Sequence, residues 1–122
     1  MERSRMKLTD VVNHHDFMLA VSTFLDDFKK CDDKYSLIED EPIGEYIDEI
    51  NLCLLACIVH KLSNEYGLTL PSWANDPSYI MPYPVYAHDT VNAEYQRFLA
   101  ETTPREFAIR NIFYGANVIE RV

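Results

Sequence analysis

Apolar residues recur along this chain at helical rather than strand spacing. Between Asp16 and Lys30 one stripe of them falls at Phe17, Ala20, Val21, Phe24, Leu25 and Phe28. Steps of three and one gather such residues on one side of a helix. Lys29 and Lys30 close the segment, where cations complement the helix dipole. Ahead of it, Thr9 or Asp10 would cap a short turn, and residues 1–8 read as a polar, basic, frayed start. A second, longer helix is expected from about Pro42 to Tyr66. Proline suits a first helical turn, and Asp40 and Glu41 suit its positive end. Its buried stripe would be Ile43, Tyr46, Ile47, Ile50, Leu54, Cys57, Ile58 and Leu62. From Leu52 to Val59 the residues are apolar nearly all round, which predicts a central helix enclosed on several sides. Gly67 would end it in the left-handed conformation.

Beyond Gly67 the pattern changes. Residues 67–89 hold Pro71, Pro77, Pro82 and Pro84, and each proline removes a backbone donor, so a long irregular crossover is expected. Trp73, Tyr79, Tyr83 and Tyr86 lie in it. They read either as anchors that fasten the crossover to the core, each a large apolar body with a polar tip, or as a partner-binding surface. His88 and Asp89 look like turn and cap residues before a third helix from Thr90 to Glu101, with Val91, Glu94, Tyr95, Phe98 and Leu99 on one face. Thr103-Pro104-Arg105-Glu106 predicts a capping box that opens a short helix to about Arg110. Ile112 to Tyr114 reads as extended, Gly115 as a turn, and Asn117 to Val122 as a last helical turn or two. The expectation is one all-α domain over residues 1–122, with a long central helix, shorter helices around it and the aromatic crossover.

Composition narrows the class. A chain of 122 residues buries roughly two-thirds of its unfolded surface and needs no metal or disulfide staple. Its longest apolar run, Leu52 to Val59, falls far short of the ~20 residues that span a bilayer. No basic segment followed by an apolar stretch opens the chain, so no secretory signal is expected. Cys31, Cys53 and Cys57 make no disulfide framework and suit a reducing cytoplasm. Eleven Lys and Arg against 20 Asp and Glu leave a net charge of -9, without the basic footprint of a nucleic-acid binder. From Asp26 to Glu49 ten acids face three lysines. That block, which includes Asp40, Glu41 and Glu45, reads as a solvated interhelical loop or as a docking face for a basic partner.

Reactive chemistry is sparse. Cys53, Cys57 and His60 share a helical face and would suit zinc if a fourth ligand arrived, which makes a small metal-binding enzyme or sensor the alternative reading. Paired structural cysteines normally come from turns, however, and in an apolar helix cysteine behaves as a small hydrophobe. His14, His15 and Asp16 are consecutive and diverge by about 100° per residue on a helix, so Asp16 reads as a cap. The Glu-x-x-His pairs of a di-iron site are lacking, as are a glycine-rich phosphate loop and a nucleophile elbow. No catalytic residue and no cofactor is expected. Self-association through the amphipathic first helix is a further expectation.

A longer string of short signals runs from Leu54 to Val122: Tyr66-Gly67-Leu68, Leu70-Pro71-Ser72-Trp73, Phe98-Leu99, Thr103-Pro104-Arg105-Glu106-Phe107, Arg110-Asn111-Ile112-Phe113 and Val118-Ile119-Glu120-Arg121-Val122. It resembles the region that follows the helix-turn-helix in bacterial XRE-type regulators, some of them antitoxin-like. The resemblance implies a non-catalytic regulatory module that acts by binding a protein. This chain has no helix-turn-helix, so the DNA binding of those regulators does not carry over. Within the resemblance, Gly67, Pro71, Trp73, Pro104, Phe107 and Phe113 look like determinants of the fold.

Overall fold

The computed structural model describes residues 5–44 and 47–116. Its first element, α1 (Leu8–Val11), is a single turn with Leu8 and Val11 buried. The Lys7 amide donates to the Asp10 carboxylate at 2.9 Å, so Asp10 sits inside the turn and reaches back to its start. The Met6 amide donates to Asp27 at 2.7 Å, and Asp27 is buried on the next helix. From Met6 onward the chain start is therefore fastened rather than frayed; residues 1–4 lie outside the described residues.

Helix α2 (Phe17–Lys30) follows its pattern closely. Asp16 caps it by accepting from the Leu19 amide at 3.2 Å, and Ala20, Val21, Phe24, Leu25 and Phe28 are buried. Helix α3 (Glu49–Tyr66) departs from expectation at its start. Residues 42–44, 47 and 48 are not helical; the cap is Asp48, which accepts from the Asn51 amide at 2.8 Å. Tertiary packing overrides the local acid-acid-proline signal. At Gly44 the backbone passes so close to Val12 that a Cβ there would sit 2.9 Å from Val12 Cβ. Ile43 is accordingly 76% exposed rather than part of the buried stripe, and Tyr46 lies outside the described residues. Further on, every residue from Cys53 to Val59 is buried, as an enclosed central helix requires. Gly67 ends α3 with φ +66°, its amide returning to the Ser63 carbonyl.

The crossover is built of 3-10 turns at Ser72–Asn75, Pro77–Tyr79 and Ala87–Asp89, with a two-residue strand β1 (Val85–Tyr86). Two short helices follow, α4 (Ala93–Thr102) and α5 (Arg105–Ala108), then strand β2 (Ile112–Phe113). The strands pair in parallel, Val85 with Ile112 and Tyr86 with Phe113, so the all-α expectation becomes a mostly helical fold with one small sheet. Helix α3 packs against α5 and the first two 3-10 turns, and α1 packs against α2.

Two local expectations are corrected here. Asn92, not His88 or Asp89, caps α4 by accepting from the Tyr95 amide at 2.9 Å, and within α4 only Leu99 is buried. Val91 is 92% exposed and Phe98 56%, so the apolar face read from the sequence is not the core face. Thr103 does not cap α5. Its hydroxyl donates to the Leu99 carbonyl at 2.6 Å and accepts from the Gly115 amide at 3.0 Å, while the Glu106 carboxylate accepts from Asn64 on α3 at 2.8 Å. The Thr-Pro-x-Glu run thus joins three elements instead of closing a box. Asn117 to Val122 lie outside the described residues.

Candidate functional site

The four crossover aromatics divide into two pairs. Trp73 and Tyr79 are buried, with their rings edge to face at 5.2 Å. The Trp73 indole donates to the Ile38 carbonyl at 3.0 Å, and the Tyr79 hydroxyl donates to the Glu41 carboxylate at 2.9 Å. Burial, the Glu41 hydrogen bond and that carboxylate's charge push the Tyr79 phenol well above its ordinary range. Both polar tips therefore point into the acidic loop and fasten it to the crossover. Asp40 and Glu41 remain exposed on that loop, and Glu45 lies outside the described residues.

Tyr83 and Tyr86 face outward. Tyr83 is 57% exposed, and half-buried Tyr86 stacks on Phe113 at 5.3 Å. With Ile50, Pro84, Val85, Asp89, Thr90 and Gln96 they line an open groove of about 400 Å³. Its walls come from α3, β1 and the approach to α4, and the Gln96 side chain closes one end by donating to the Thr90 carbonyl at 2.9 Å. His88 and Asp89 take positive φ values of 59° and 52° to turn the chain from β1 toward α4, which sets Asp89 on the groove's rim. Burial raises the Tyr114 phenol, and the charges of Asp89 and Asp48 add to it. Continuing from Gln96 along α4, Tyr95 and Phe98 stack at 6.3 Å on the exposed face.

Cys53, Cys57 and His60 are a different case. Both thiols are buried, and burial pushes Cys53 up to about 11 and Cys57 up to about 12. His60 Nδ1 lies 3.0 Å from Nη1 of Arg110, a residue only 4% exposed. Among the described residues no three His, Cys, Asp or Glu side chains are grouped to hold an ion. Arg110 is a buried charged residue that pattern reading missed; the available signal was an arginine set between apolar Phe107–Ile109 and Ile112–Phe113, with only Asn111 beside it.

A second cleft, of about 500 Å³, lies between the end of α1 and the start of α3, lined by Val12, His14, His15, Phe17, Asp48 and Asn51 among others. The two imidazoles stack at 4.7 Å, and His14 Nδ1 accepts from the Asp16 amide. Asp16 acts as the α2 cap expected of it. Among the described residues no helix is long and apolar enough to cross a membrane. Comparison with protein-family models, curated proteins and solved structures finds no match to this chain.

Proposed function

We propose that this chain is a non-catalytic protein-interaction domain, of regulatory or antitoxin-like type, that binds a basic protein partner in the groove between Tyr83 and Tyr86. The observation that supports this reading most is the exposed Tyr83 ring beside Asp89 on an open groove. Exposed tyrosine supplies large contact area at low entropic cost, and it offers a face for a lysine or arginine. The Asp89 carboxylate on its rim would favour encounter with a basic surface. Asp40 and Glu41, both exposed on the acidic loop, are further candidate contacts for a basic partner.

Two substitutions test the reading without touching the packed interior. Tyr83→Ala removes the exposed ring. Asp89→Asn removes the charge while keeping a side chain that tolerates positive φ. A basic protein that co-purifies stoichiometrically with the wild-type chain from its native host should be lost from the first variant and weakened in the second, with unchanged circular dichroism. Val91→Ala, at a 92% exposed position outside the groove lining, serves as the control and should retain it. Retention by Tyr83→Ala and Asp89→Asn alike removes the groove from consideration.

A further inference from the structure

Arg110 is buried without a carboxylate in ion-pair contact among the described residues, and its guanidinium instead ties three segments together. Nη1 donates to His60 Nδ1 at 3.0 Å on α3 and to the Glu106 carbonyl at 2.8 Å on α5. Nη2 donates to the Ala74 carbonyl at 2.9 Å in the crossover. Its own carbonyl accepts from the Met81 amide at 3.1 Å, and the next residue, Asn111, holds the Met81 carbonyl through Nδ2 at 2.7 Å and the Val85 amide through its carbonyl at 2.7 Å. The stretch from Ala74 to Val85 is thus hung on Arg110 and Asn111.

An arginine has only donors, so the contact settles the histidine's state. His60 must present a bare Nδ1 lone pair and carry its proton on Nε2. We propose that His60 and Arg110 form a pH-sensitive latch, in which protonation of His60 at Nδ1 turns the acceptor into a donor, sets two cations against each other, and releases the Ala74–Val85 crossover from α3 and α5. Proton and charge balance are simple. One proton is taken from solvent, one hydrogen bond is lost, and the guanidinium keeps its charge.

The surroundings of His60 favour the neutral form. Its burial acts first, then the Arg110 charge, and Arg105 on α5 adds to them; Glu106 on α5 opposes them. The result is a pKa below the ordinary 6.5. Glu106 is engaged by Asn64, and the crossover turns packed on α3 contribute one charged group, Asp76, which is exposed and accepts from the Ser78 amide. The sign follows by linkage. The folded state binds this proton less readily than the opened state, so the latch is fully closed above pH 6.5 and weakens as pH falls from there toward the lowered folded-state value. One proton changes the opening equilibrium by at most about tenfold per pH unit.

Amide exchange reads the latch directly, after correction for the intrinsic pH dependence of exchange. Between pH 7 and pH 5 the Met81 and Val85 amides of the wild-type chain should lose protection by about an order of magnitude. Amides within Leu55–Val59 of α3 should hold. His60→Asn keeps an acceptor near the Nδ1 position and cannot be protonated, so its Met81 and Val85 protection should not change with pH. The same acid loss in wild type and His60→Asn overturns the proposal. If His60→Asn does not fold, the wild-type chain decides by NMR: Met81 and Val85 shifts that track the His60 titration support the latch, and shifts indifferent to it overturn it. Because Tyr83 lies inside the released stretch, a partner held in the groove would dissociate in acid. That consequence rests on the groove reading, whereas the exchange test does not, so the two fail separately.

Discussion

The indole N–H of Trp73 donates to the main-chain carbonyl of Ile38 at 3.0 Å, joining positions 35 apart in sequence. Ile38 is fully buried, so this carbonyl depends on the indole for its partner. Trp73→Phe leaves the carbonyl unsatisfied beside a small void and should cost about 2–3 kcal/mol; Trp73→Ala should cost about 3–5 kcal/mol. Tyr83→Ala, on the outward-facing member of the same crossover, should fall within about 0.5 kcal/mol of wild type. Urea unfolding followed by circular dichroism separates the anchor from the surface residue. Equal costs at the two sites would mean that the aromatics do not divide as described.

Tyr79 and Glu41 make the neighbouring tie. Tyr79→Phe keeps the ring and removes the hydroxyl, with an expected loss of about 1 kcal/mol. Its folded-state pKa is raised above the ordinary 10.0, so the unfolded chain gives up this proton first. The contribution is therefore complete below pH 10 and is lost as pH rises beyond it. Wild-type stability should fall more steeply than that of Tyr79→Phe above pH 10, as read from thermal midpoints in alkaline buffers.

Two glycines should fail to accept alanine for different reasons. At Gly44 the added Cβ would meet Val12 Cβ at 2.9 Å and the Val12 carbonyl oxygen at 3.1 Å, a collision worth about 1–3 kcal/mol. At Gly67 a Cβ meets open space, but φ is +66°, so Gly67→Ala should cost about 1 kcal/mol through backbone strain alone. Val12→Gly in the same chain, which removes the Cβ that is met, should relieve part of the first penalty and none of the second. A double-mutant cycle measures both.

The cysteines offer a chemical check on the core. Cys31 is half-buried, whereas Cys53 and Cys57 are buried with thiols pushed up to about 11 and about 12, and the thiolate is the reactive form. Brief alkylation at neutral pH should add one label to the folded chain and three in denaturant. Early labelling of Cys57 in the folded chain would contradict the enclosed central helix.

Much of the helical architecture could be read along the chain because its causes are local. The buried side of α2 and the Asp16 cap follow from spacing and from one side chain reaching three residues on. The enclosure of α3 follows from an unbroken run of apolar residues, and its end from a glycine in the left-handed region. Where the reading failed, a distant partner outcompeted a local preference. Asp40-Glu41-Pro42 is a sound helix start, but Gly44 must lie against Val12, and the helix waits for Asp48. Thr103 and Glu106 are spaced for a capping box, but Gly115 and Asn64 claim them.

The candidate site divides along the same line. Sequence alone determined that the chain is acidic, mostly helical and interrupted by an aromatic crossover, since charge, period and proline content are properties of the order of residues. Only the tertiary structure decided that Trp73 and Tyr79 turn inward while Tyr83 and Tyr86 line a groove, and that His60 meets Arg110 across 50 residues. The same aromatic or imidazole satisfies either an interior or a surface role. Which role it takes depends on the carbonyl, carboxylate or guanidinium that long-range packing brings to its polar atom, and no local pattern encodes that partner.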